Sequence, residues 1–181
     1  MNIPILFTFW NLICGVLAIV LSFLYPEDIR YFSFLLIIAL LCDVLDGRIA
    51  RKLEQTSSLW AYLDSLSDII SFGLAPALLI IFEYKKSNFP DSMLRVMILI
   101  VCLFVCCGAW RLARFHTIIE QDPSKKVPYY LGMPITINGI VFPLWFFLEY
   151  QINSTYHIPL TVILLILSWY SMVSTHKFPK W

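Results

Sequence analysis

Charge is what this sequence has least of. Asp, Glu, Lys and Arg make up 14% of its 181 residues, where a soluble domain carries about a quarter. Its 13 basic and 12 acidic residues leave a net +1, so there is no dense basic surface and nucleic acid is excluded as a partner. The five cysteines (Cys14, Cys42, Cys102, Cys106 and Cys107) form no CxxC pair and no Cys/His spacing, which excludes a zinc site of that kind. All five fall in apolar stretches and read as small, polarisable packing residues. His157 and His176 have no acidic or cysteine partner at metal-binding spacing and read as interfacial residues. The first apolar stretch has no basic segment before it and no A-x-A site; it is too long for a signal-peptide core and reads as a retained span.

What the sequence does have is apolar surface, at 60% of residues and a mean hydropathy of +0.78. A bilayer is the solvent this composition fits. Runs of about 20 apolar residues mark transmembrane helices. The punctuation predicts six, at about residues 4–24, 31–53, 59–83, 93–117, 134–150 and 158–173. YPED (25–28), QTSS (55–58), KKSNFPDS (85–92) and EQDPSKKVP (120–128) separate the first five. Ser57 or Ser58 is the expected N-cap of the third helix. Gly73 and Pro76 predict a kink within it rather than a break. Trp145, Phe146 and Phe147 read as a lipid-facing or interfacial belt. The expectation is an all-α integral membrane protein forming one domain over residues 1–181. With the N-terminus inside, nine of the Lys and Arg residues fall on inner segments and four on outer ones. Both chain ends are therefore expected to face the cytoplasm.

Against this background residues 43–68, DVLDGRIARKLEQTSSLWAYLDSLSD, stand out. Residues three and four apart share a helix face. Asp43, Asp46, Gly47 and Ala50 thus form one stripe of the second helix, and Trp60, Asp64 and Asp68 one stripe of the third. A short linker makes the two helices antiparallel neighbours and brings four carboxylates together. Each ionised acid in a bilayer costs about 2.5–3.5 kcal/mol by insertion scales, and mutual repulsion adds to that. Two divalent cations would cancel the four charges. An all-oxygen donor set suits Mg²⁺ or Mn²⁺ better than zinc. A pair of such ions can clamp both the attacking and the leaving oxygen of a phosphoryl displacement. Gly47 would admit a ligand close to the backbone, and Arg51 could meet a phosphate. The competing readings are helix–helix hydrogen bonds, a proton relay or a transport path. A relay would spread its acids over several helices near the midplane, whereas these sit on two stripes at one depth.

The pattern D43-x-x-D46-G47-x-x-A50-R51, then eight residues, then position 60, Asp64 and Asp68 resembles the signature of the CDP-alcohol phosphatidyltransferase family. Seven of its eight fixed residues are present. LDSLSDIISFGLAPALL (63–79), GAWRLARF (108–115), LGMP (131–134) and NLICG (11–15) are similar to segments of the phosphatidylserine synthase branch. Ser65 stands where glycerol-phosphate transferases carry proline. The resemblance implies six transmembrane helices, a di-metal site, and transfer of a phosphatidyl group from CDP-diacylglycerol, or an archaeal CDP-lipid, to L-serine with release of CMP. It implies that Asp43, Asp46 and Asp64 hold the metals, with Asp68 both ligand and general base. Asp43, Gly47, Ala50 and Arg51 would face the CDP moiety. Homodimerisation is a family expectation of the same kind. Other acceptors, glycerol phosphate or an inositol phosphate, keep the same fold.

Trp60 replaces the signature's second glycine. Its indole would block the nucleotide pocket, turn aside into lipid, or stack on the cytosine; the first case describes an inactive or transport relative. Arg111 and Arg114 share a face near the cytoplasmic boundary and suit a lipid phosphate or the serine carboxylate, with headgroup anchoring as the alternative. The family usually has Asn where this chain has His116. Asn11 and Gly15 share a face of the first helix; Gly15 reads as a packing residue, and Asn11 as either a packing residue or a nucleotide contact. Lys125 and Lys126 read as contacts to anionic lipid.

Overall fold

The computed structural model describes residues 3–25, 29–53, 57–86, 90–121, 129–149 and 154–179. The turns read at 26–28, 55–56, 87–89 and 122–128, with Lys125 and Lys126, lie outside the described residues, as does Lys180. Helices dominate: α1 (Ile3–Leu24), α2 (Ile29–Lys52), α3 (Ser58–Asp68), α4 (Ala75–Lys86), α5 (Asp91–Gln121), α6 (Asn138–Glu149) and α7 (Ser154–Val173). A π-helical turn, Ile69–Leu74, joins α3 to α4, so both form one continuous rod. Six helical passes therefore follow one another as the apolar runs predict, in an all-α membrane fold.

Three helical stretches among the described residues are long and apolar enough to cross a bilayer, Ile3–Leu24, Ser58–Lys86 and Asp91–Ile118. Ile135–Leu148 and Ile158–Val173 are shorter apolar helices. In α2 the charges of Asp43, Asp46, Arg48, Arg51 and Lys52 fill the second half. Ser57 is the N-cap of α3, its Oγ accepting from the Trp60 N–H at 3.1 Å. This satisfies one of the orphan amides of a helix start.

The expected kink at Gly73 and Pro76 takes a different form. Proline has no N–H, and its ring collides with the carbonyl four residues back. The chain widens into the π turn just before Pro76, and the Ala75 N–H reaches the Ile70 carbonyl instead. Phe72 and Gly73 of this turn are buried.

α1 packs along α2 and also touches α3, the π turn and α4; α2 packs on α6, and α5 lies against α7 and α4. Phe32, Leu36, Phe72, Leu79, Phe104, Phe142 and Leu165 are almost wholly buried between them. Phe104 meets Phe142 edge to face at 5.6 Å. Two expectations need correction. Phe146 is buried (1% exposed) and belongs to this core, while half-buried Trp145 donates to Thr161 Oγ1 at 2.9 Å; of the supposed belt only Phe147 is exposed. Among the cysteines, Cys14 is buried as expected, but Cys102 and Cys106 are exposed on α5.

A short ribbon was not foreseen. β1 (Tyr129–Leu131) pairs antiparallel with β2 (Lys177–Pro179), Tyr130 opposite Phe178. Gly132 follows β1 at φ +78°, the left-handed region that glycine enters without steric cost. Its N–H donates to the His176 carbonyl at 2.9 Å. Arg114 of α5 completes the corner, Nη2 donating to the Leu131 carbonyl at 2.9 Å and the Ser174 carbonyl at 3.4 Å.

Candidate active site

The two stripes meet. One carboxylate oxygen from each of Asp43, Asp64 and Asp68 lies within 4.8 Å of the others. Asp43 comes from α2, and the other two lie one turn apart on α3. Asp68 is 5% exposed and Asp46 only 1%. Asp46 stands apart from the trio: its Oδ2 accepts a hydrogen bond from Thr8 Oγ1 of α1 at 2.6 Å. Asn11, one turn further along α1, donates from Nδ2 to Asp68 Oδ1 at 3.5 Å, a long contact by ordinary hydrogen-bond standards.

Several acceptors here have nothing to accept from. Asp46 Oδ1, Asp64 Oδ1 and Asn11 Oδ1 are shielded from solvent and have no hydrogen-bond partner among the described residues. The Lys86–Glu83 ion pair lies elsewhere, at the end of α4. Buried like charges with unused lone pairs are strongly unfavourable alone. An all-oxygen set of this kind fits hard divalent cations, so the residues present suit the metals that the signature implies.

The remaining candidates divide. Gly47 is half-buried beside open space, where an added methyl would meet nothing within 4 Å; the helix surface beside Asp46 is therefore free for a ligand. Ala50 is fully buried (0% exposed). Arg51 is exposed at the end of α2. Trp60 is half-buried, and its Nε1 is a shielded donor without a partner among the described residues. The indole is therefore not turned wholly aside. Arg111 is buried (5% exposed), with its guanidinium carbon 5.7 Å from the centre of the Phe115 ring. Arg114 is the candidate whose neighbourhood differs most from the expectation, since its fork is spent on the ribbon's carbonyls.

Two contacts escaped the sequence reading. Ser65 Oγ lies 2.6 Å from His116 Nε2, and the imidazole stacks on Tyr62 at 5.0 Å. α5 is thereby fastened to α3 immediately beside Asp64. Thr8 is the other. It precedes Asn11 by three and Gly15 by seven positions, so the shared stripe of α1 is the signal that would have found it. That stripe is tightly packed: Ser71 Oγ donates to the Asn11 carbonyl at 3.0 Å, and a methyl on Gly15 would sit 2.8 Å from the Ser71 Cα.

A model of the family described as CDP-alcohol phosphatidyltransferase matches residues 1–174. The chain is 36% identical over 177 residues to a CDP-diacylglycerol--serine O-phosphatidyltransferase of Methanocaldococcus jannaschii, covering 96% of this chain and 72% of that protein. It is 34% identical over 177 residues to the enzyme of the same name from Bacillus subtilis, covering 98% of this chain and 89% of the relative. The Helicobacter pylori protein of that name is 33% identical over 184 residues, covering 98% and 71%. The acidic stripes and the match across nearly the whole sequence agree: this chain belongs to the CDP-alcohol phosphatidyltransferase family.

Proposed function

We propose that this protein transfers a phosphatidyl group from CDP-diacylglycerol, or an archaeal CDP-lipid, to L-serine and releases CMP. The observation that carries the reading is the convergence of Asp43, Asp64 and Asp68 from two helices, in a chain similar over most of its length to proteins named for that reaction. Two divalent cations, Mg²⁺ or Mn²⁺, held by Asp43, Asp46, Asp64 and Asp68 would supply Lewis-acid stabilisation of the diphosphate charge. Asp68, nearly enclosed, takes the proton of the serine hydroxyl. The serine oxygen forms a bond to the lipid-side phosphorus, and the bond from that phosphorus to the CMP oxygen breaks. Burial keeps water from competing for the phosphorus.

The nucleotide lies along the open side of α2 at Gly47, with Arg51 at its phosphates. Trp60 offers its free Nε1 donor and indole face to the cytosine. Arg111, buried beside Phe115, and Arg114, which also donates to carbonyls at the ribbon corner, are the α5 arginines for a lipid phosphate or the serine carboxylate. The catalytic unit spans residues 1–181 and works as a homodimer, with both termini and the acids on the cytoplasmic side. The nine-to-four distribution of basic residues supports that orientation.

Purified protein supplied with a CDP-lipid, Mn²⁺ or Mg²⁺ and a panel of alcohols tests the proposal. CMP release is expected with L-serine, and none from Asp68→Asn protein that still binds the CDP-lipid. Release only with glycerol phosphate or an inositol phosphate would move the chain to another acceptor. No release with any alcohol would make it an inactive or transport relative, and near-normal turnover by Asp68→Asn would remove the base assignment.

A further inference from the structure

Thr8 is buried (2% exposed) in α1, outside the family signature, yet its hydroxyl lies 2.6 Å from Asp46 Oδ2. We propose that Thr8 is a positioning residue, which fixes the Asp46 carboxylate so that Oδ1 is presented to a divalent cation. This inference rests on the metal-dependent reading above.

The hydroxyl has one proton and two acceptors in reach, the Pro4 carbonyl at 3.2 Å and Asp46 Oδ2 at 2.6 Å. The shorter contact has the length of a charge-assisted bond to a carboxylate, so the proton belongs to Asp46. Asp46 Oδ1 is then left shielded and without a partner among the described residues. The two oxygens of one buried carboxylate thus have different surroundings, one tied to protein and one vacant. A hydrogen bond to the far oxygen of a ligating carboxylate sets its rotation and limits its reach.

Thr8 itself is held from the other side of the site. Ser67 Oγ, whose main acceptor is the Leu63 carbonyl at 2.9 Å, also lies 3.3 Å from the Thr8 carbonyl. Ser71 secures the next turn of α1 through the Asn11 carbonyl. α1 is therefore anchored to the rod that carries Asp64 and Asp68 while it orients Asp46 on α2. The arrangement couples the acid that stands outside the trio to the three within it.

The test measures Mn²⁺ binding to full-length protein in detergent, with no substrate, from the free-ion signal in electron paramagnetic resonance. Loss of such an outer hydrogen bond weakens metal affinity by about 10–100-fold. Thr8→Val, which keeps the shape and removes the proton, is expected to lose affinity in that range. Thr8→Ser, which restores the donor, is expected to return it to within a few-fold of wild type. Melting in EDTA identifies any variant that simply misfolds; Thr8→Ser carries the comparison if Thr8→Val does. In assays, the Mn²⁺ concentration for half-maximal rate should rise for Thr8→Val while the rate at saturating Mn²⁺ recovers. Equal affinity of Thr8→Val and wild type overturns the positioning role and leaves the metal reading standing. Absence of Mn²⁺ binding by wild-type protein overturns both.

Discussion

At the scale of single residues, the four aspartates were legible because helical spacing alone places them on two faces. Their unequal surroundings were not. Asp46 turns toward Thr8, 38 positions away in sequence, and only the packing of α1 on α2 and α3 reveals it. Trp60 is the residue on which sequence and structure most needed each other. The family resemblance implies a place beside the nucleotide for it, and the structure adds that its Nε1 is shielded and without a partner among the described residues. A buried donor left unsatisfied costs about 1–3 kcal/mol, and a nucleotide acceptor would recover it. Trp60→Phe is therefore expected to weaken CDP-lipid binding by roughly 5–10-fold, the size of one ordinary hydrogen bond, and Trp60→Gly by more because the stacking face goes too. Equilibrium binding of a CDP-lipid to the three proteins checks this. A gain in affinity for Trp60→Gly would identify the indole as an obstruction.

At the scale of elements, apolar run length gave six helical passes with boundaries displaced by only a few residues. Periodicity could not give the β1–β2 ribbon, because its strands are three residues each and depend on a long-range corner at Gly132 and Arg114. Nor could it give the π turn, since proline announces a disturbance without saying which one. Gly15 tests how closely these elements are fitted. Alanine is the better helix former by about 1 kcal/mol. Its methyl, however, would lie 2.8 Å from the Ser71 Cα, and a backbone atom cannot swing aside. Overpacking of this kind costs about 1–3 kcal/mol, so the clash wins. Gly15→Ala is expected to lower the melting temperature and weaken Mn²⁺ binding together, because α1 carries Thr8 and Asn11. A melting temperature above wild type would mean that α1 has slack at this point.

At the scale of the whole molecule, the acids join α2 to α3 and, through Thr8 and Asn11, both to α1, so their occupancy bears on the stability of the bundle. A cation that binds only the folded chain stabilises it by about 2.7 kcal/mol at a hundred times its dissociation constant. Addition of Mn²⁺ to EDTA-treated protein is expected to raise the melting temperature by several degrees, and Asp43→Asn should abolish most of that rise. An equal rise in the variant would place the stabilising ion elsewhere.

The wide turn at Ile69–Leu74 has a further effect on this bundle. Each residue of an α-helix advances the face by 100°, and a π turn accommodates about one extra residue. The rod therefore has two angular origins. Below the turn, rotation is set by where Asp64 and Asp68 must aim; above it, by which side of α4 meets α5. A straight helix would lock those requirements together, so that any adjustment of the acids would twist the outer half out of register. The turn thus sets a fixed angular offset between the half that carries Asp64 and Asp68 and the half that packs on α5, an offset that one regular α-helix would not give.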